Sequence, residues 1–120
     1  MKKFTGMLVT ATVATFALAG FSAGALAQNF DAAKDLVEQN NCKQCHGIKK
    51  DKDGPSFLKT AERLRGKAGA EAEIVSHLTS GKKIKLADGS QEDHKIIKTM
   101  PPKDMAQIKN VAQYILSIQP

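Results

Sequence analysis

Tryptophan is absent from this chain of 120 residues, tyrosine occurs once and cysteine only twice. Beyond Ala27 the aromatic side chains are Phe30, Phe57 and Tyr114 alone, so a small domain built from this sequence has little bulk with which to fill its own core. A further apolar body is called for. No stretch alternates apolar and polar residues with a period of two, which excludes a sheet as the main framework, and there is no internal repeat. The lysines are scattered and carry no interleaved aromatic platform, which speaks against a nucleic-acid binder.

What is present begins with an address. Lys2 and Lys3 precede an uncharged stretch from Phe4 to Phe30 that contains the small-residue site Ala25-Leu26-Ala27, the layout of a secretory signal peptide. Residues 1–27 are therefore expected to be cleaved after Ala27, leaving one domain over 28–120 in the periplasm. The apolar region is rich in Ala and Thr, a poor permanent span beside the roughly 20 strongly apolar residues that a membrane helix requires. Stable insertion of the mature chain is not expected. Without Lys2 and Lys3 the 18 basic residues fall to 16 against 12 acidic ones, a net charge of +4 that favours acidic partners.

Four helices are legible by spacing. Asp31 can cap a first one that carries Ala33, Leu36 and Val37 on one face. Pro55 or Ser56 starts a second with Phe57, Leu58, Ala61 and Leu64 as its stripe and Gly66 past its end. Glu71 and Glu73 open a third, with Ile74, Val75 and Leu78 inward and Gly81 as its stop. In the last, Asp104 and Gln107 stand at capping-box-like spacing before Ile108, Val111, Ala112, Ile115 and Leu116. Between Lys82 and Thr99 the periodicity is weak. That segment is expected to be mostly loop, with a possible helical turn in "SQEDHKII". The fold class is all-α.

Both cysteines lie in "CKQCH", where Cys42 and Cys45 flank two residues and His46 follows directly. C-x-x-C-H is the attachment signature of c-type haem: two thiols reach the two vinyl groups of one porphyrin and the imidazole takes the iron. The other readings of two close cysteines are a thioredoxin-like redox pair, half of a zinc site and a plain disulfide. A redox pair of that kind follows a strand in a βαβ unit, and a zinc site needs two more ligands at suitable spacing. Neither background is present.

In chain order, a helix ending in "CKQCH", then "DGPSF", "GAEAEI", "TMPP" and a final amphipathic helix bearing Tyr114 resemble the small bacterial class I cytochromes c over nearly the whole of residues 28–120. The resemblance implies first and last helices that cross around one covalent haem c, with Leu36 and Val37 meeting the region of Tyr114 and Ile115. The porphyrin then supplies the missing core. It also implies that the Pro55 carbonyl accepts the ring N–H of His46, that Met100 before its two prolines closes the iron opposite His46, and that His77 lies near a propionate. The competing methionine, Met105, falls on the stripe of the last helix, where core filling is its ordinary role. Compared with compact members of the family the chain is longer between Gly81 and Met100 and lacks a tryptophan that some of them carry there. The added stretch holds Lys82, Lys83, Lys85 and His94, and His94 stands as an alternative ligand.

An iron closed on both sides by His46 and Met100 leaves no position for substrate, so the implied function is a one-electron carrier and not an enzyme. Its partners are redox proteins with acidic docking surfaces, and it is expected to be monomeric. Two other functions share the motifs: a haem subunit of an exported oxidoreductase complex, and a haem sensor or peroxidase-like protein with an open sixth position. Lys49, Lys50 and Lys52 after the motif, with Lys82, Lys83 and Lys85 before Met100, are the residues expected to ring the exposed haem edge.

Overall fold

A computed structural model describes residues 28–120; the expected signal segment 1–27 and its cleavage site lie outside the described residues. Helix α1 spans Phe30–Gln39, and its cap is Asn29, two residues earlier than the expected Asp31: the Asn29 side chain accepts from the Ala32 amide. Ala33, Leu36 and Val37 form the buried face. The helix ends where Asn41 turns left-handed at φ 55°, a conformation that asparagine tolerates better than most residues. A single 3₁₀ turn, Cys42–Gln44, follows.

Helix α2 spans Phe57–Leu64 and is capped by Ser56, whose hydroxyl accepts from the Lys59 amide. Helix α3 spans Ala70–Thr79 after a left-handed Gly69, with Ile74 and Leu78 buried. Helix α4 spans Met105–Ser117. Its cap joins two groups at once: the Asp104 carboxylate accepts from both the backbone and the side-chain amide of Gln107. Helix α4 is the element around which the others pack, since α1, α2 and α3 each lie against it. Its buried residues Ile108, Val111, Ala112, Tyr114 and Ile115 join Leu36 and Val37 of α1 and Leu64 of α2 in one cluster. The Phe30 ring meets Tyr114 at 5.9 Å. Beyond α4, the Arg65 guanidinium donates to the carbonyls of Leu116 and Ile118 and ties down the end of the chain.

The segment after α3 corrects the sequence reading. Instead of loop with a helical turn, it forms a two-stranded antiparallel hairpin, β1 Lys83–Lys85 against β2 Gln91–Asp93, with Ile84 opposite Glu92. Five of these six residues are exposed, so no buried face imposes the alternation by which a strand is read. The turn itself carries the signal: Asp88 accepts from the amide and hydroxyl of Ser90, and Gly89 takes φ 88°. Asp-Gly between short polar runs is a hairpin sequence.

The chain leaving the hairpin is fastened to three elements. The His94 amide donates to the Lys82 carbonyl, the Ile97 amide to the Leu78 carbonyl of α3, and Lys98 exchanges two bonds with the Asn40 side chain at the end of α1. These bonds draw residues 94–98 across the molecule opposite the 3₁₀ turn.

Candidate functional site

Between the helices and this returning segment lies a cavity of about 390 Å³. Cys42, Cys45, His46, Pro55, His77 and His94 all line it, together with apolar side chains from α1 to α4. Sequence positions far apart thus meet in one space. Both cysteines stand unpaired, and burial pushes the Cys42 thiol above its ordinary pKa.

His46 is held from several sides. The 3₁₀ turn sets its backbone, with the His46 amide donating to the Cys42 carbonyl. Nδ1 stands 2.7 Å from the Pro55 carbonyl, and because a carbonyl only accepts, Nδ1 carries the proton. Nε2 is thereby left with its lone pair for a metal, and the bond to Pro55 fixes the ring and strengthens it as a donor. The Phe57 ring stacks on the imidazole at 5.8 Å and 20°. Gly54 closes the seat, since a Cβ there would stand 2.7 Å from His46 Cε1 and 3.0 Å from Nδ1. The loop between motif and proline is itself clamped by Asp51, whose carboxylate accepts from the Ser56 amide and the Lys59 ammonium. That arrangement holds the Asp51 carboxyl below its usual pKa, through Lys59 first and the Ser56 amide second.

Across the cavity, His94 faces His46 with ring centres 6.0 Å apart, and His77 packs on His94 at 4.1 Å. One nitrogen from each of the three rings lies within 4.8 Å of the others. Burial, and next the charge of neighbouring His94, pushes the His77 pKa down to about 4. Burial likewise lowers His94, whose Nδ1 is sealed from solvent without a hydrogen-bond partner. Both rings are neutral at pH 7, the form in which imidazole binds metal.

Met100 is not brought to this cavity. It is 82% exposed and absent from the lining, so the expected pairing of His46 with Met100 is not the geometry found. The reason is local. The Thr99 hydroxyl donates to the Pro101 carbonyl and accepts from the Asp104 amide, while Gln107 donates to the Met100 carbonyl. Residues 99–104 are folded onto the start of α4. Met105 is also exposed and fills no core.

Of the six lysines expected around the site, Lys82 and Lys85 line the cavity, joined by Lys95, which sequence reasoning did not single out. Lys49, Lys50 and Lys52 lie outside it, and Lys83 pairs with Asp93. Arg63 also lines the cavity.

The donor set fits a covalently bound haem c on observations of this chain alone. Two free thiols stand at the wall, an oriented imidazole offers Nε2, and a second wall carries a buried histidine nitrogen without a partner. Comparison with known proteins agrees. A sequence model of the cytochrome c family matches residues 30–119. The chain is 30% identical over 90 residues to cytochrome c-552 of Hydrogenobacter thermophilus, covering 73% of this chain and 83% of that protein. Among solved structures it is similar to the class 1 cytochrome MtoD of Sideroxydans lithotrophicus ES-1, at 50% identity and a TM-score of 0.70, over 77% of this chain and 98% of the other. Cytochrome c552 of Nitrosomonas europaea, at 21% identity and a TM-score of 0.56, shares the fold over 72% of this chain and 99% of its own.

Proposed function

The chain belongs to the cytochrome c family, and from that premise we propose that it is an exported one-electron carrier that shuttles between redox proteins and is not itself an enzyme. Haem c held covalently at Cys42 and Cys45 would take up one electron from a donor protein as its iron goes from Fe(III) to Fe(II) and would release it to an acceptor on the return. Everything else is contributed by the chain. His46 donates through Nε2, held in the right tautomer by the Pro55 carbonyl. Val37, Leu64, Ile74, Leu78, Val111 and Ile115 line the space with hydrocarbon, which keeps water out and lowers the reorganisation that a change of charge demands. The single observation that carries this reading is the convergence of both thiols, the oriented His46 ring and a largely apolar cavity.

Arg63, Lys82, Lys85 and Lys95 line the cavity with Asp53, Glu73 and Glu92, and with Arg63 paired to Glu73 the three lysines outnumber the remaining two carboxylates; such a basic excess suits an acidic partner, and steering of this kind raises the encounter rate more than the final affinity. Export is supported by the N-terminal pattern of residues 1–27. Among the described residues no helix is long and apolar enough to cross a membrane. The test is retention of haem: protein made in a host competent in cytochrome maturation and run denatured and reduced on a gel should keep haem peroxidase staining. Cys42→Ala with Cys45→Ala should lose it. A native protein isolated with zinc, or with no haem at all, would overturn the proposal.

A further inference from the structure

Resting on the reading that haem c occupies this cavity, we propose that His94, at the foot of the hairpin, is the sixth ligand of the iron, and that Met100 is not. A metal ion holds an imidazole nitrogen at about 2 Å, as zinc does, so two imidazoles on opposite sides of one ion present nitrogens about 4 Å apart. The ligating atoms of His46 and His94 lie within 4.8 Å, and their rings face one another across the cavity at 6.0 Å. Met100 is 82% exposed and outside the cavity lining, on a segment that bonds of Thr99, Asp104 and Gln107 hold at the start of α4.

The fold also explains why His94 stays in place. Its amide is bonded to the Lys82 carbonyl, and farther on Ile97 is bonded to α3 and Lys98 to Asn40 at the end of α1. A ligand on a segment fastened at both ends is positioned before the iron is bound, which spares the cost of ordering it then. His77 is the positioning residue: its ring packs against His94 at 4.1 Å and restricts the turn of that imidazole. His77 comes from α3, so the ring that backs the ligand stands on a helix packed against α4.

The choice between nitrogen and sulfur has a measurable sign. Methionine opposite histidine raises a haem potential relative to other axial pairs, so the wild-type potential should lie below that of a His94→Met variant. The experiment uses the full haem-loaded protein and first confirms gel retention of haem in every variant, because failure there would sink the carrier reading and not this one. Oxidised wild type should then lack the long-wavelength sulfur-to-iron charge-transfer band and show the paramagnetic resonance of a low-spin bis-imidazole centre. Met100→Ala should leave both unchanged. His94→Ala should give a high-spin spectrum with rapid carbon monoxide binding to the ferrous form, restored to low spin by added imidazole. His77→Ala should remain low-spin, with shifted resonance positions as His94 gains freedom to turn. A sulfur band in wild type that disappears in Met100→Ala would overturn the proposal, and so would a high-spin His77→Ala beside a low-spin His94→Ala.

Discussion

Replacing Gly54 by alanine places one methyl group against the nitrogen-bearing edge of the iron-binding imidazole. The added Cβ would meet His46 Cε1 at 2.7 Å, Nδ1 at 3.0 Å and Nε2 at 3.4 Å, where ordinary contact begins at 3.4 Å, so something must give by about 0.7 Å. Backbone movement is opposed on both sides, because the Gly54 amide donates to Cys45 and its carbonyl accepts from Lys52. If the backbone yields, the cost is that of overpacking, about 1–3 kcal/mol. If the ring yields, Nδ1 retreats from the Pro55 carbonyl and a 2.7 Å bond passes beyond the 3.2 Å at which such bonds fade. A hydrogen bond of this kind is worth about 1 kcal/mol net, and one electron converts that to about 40 mV. The sign is upward, since a His46 that shares its proton less strongly is a poorer donor and favours the ferric state less. Denaturant unfolding of the haem-loaded variant and a potentiometric titration separate the two responses. A Gly54→Ala protein whose stability stays within about 0.5 kcal/mol of wild type, the range of neutral surface changes, and whose potential is unmoved would refute the packing of Gly54 on His46.

Ser56→Ala should cost about 1 kcal/mol in denaturant unfolding, because it removes the α2 cap at a site 3% exposed. Ile108→Val, in the core and away from the cavity lining, should cost about 1 kcal/mol and leave the optical spectrum unchanged. The folded-state pKa of Asp51 is depressed, so its charge stabilises the fold fully above the unfolded value of about 3.9, and this contribution is lost as pH falls through the lower folded value. The stability gap between wild type and Asp51→Asn should therefore be open at pH 7 and close in acid; a gap independent of pH would remove the Lys59 clamp from the account. Reversing Lys82 and Lys85 to Glu should flatten the decline of electron-transfer rate with salt that is expected from screening over about 10 Å at 0.1 M. Rates that respond to salt identically in both proteins would assign the partner to another face.

The helices were legible because each carries a stripe of apolar residues and a terminal glycine or polar residue, and three of the four a capping side chain, α3 starting instead at a left-handed Gly69. The thiols and His46 are adjacent in sequence and could be read directly, whereas the Pro55 contact followed only from the family resemblance, since Gly-Pro by itself reads as a turn and helix start. In the opposite half His77 and His94 stood as candidates, but their meeting could not be read. His77 and His94 are neighbours only because a hairpin returns the chain across α3, and that hairpin exposes most of its residues, leaving Asp88-Gly89 as its one sequence signal. Met100 drew attention by standing before two prolines, yet stiffness does not set direction. Thr99 looks unremarkable in the sequence, and Gln107 is legible there only as a partner of the Asp104 cap and not as the residue that holds the Met100 carbonyl.

The bond from the His94 amide to the Lys82 carbonyl closes the hairpin at its neck. Ile84, Lys85, Leu86 and Glu92 line the cavity, whereas Ala87 to Ser90 form a tip whose ends are already joined, and a longer or shorter insert there alters closure entropy only slowly with length. That tip is open to new sequences, or to a grafted peptide addressing a chosen docking partner, while the strands beside the cavity and the histidine at their base keep their place.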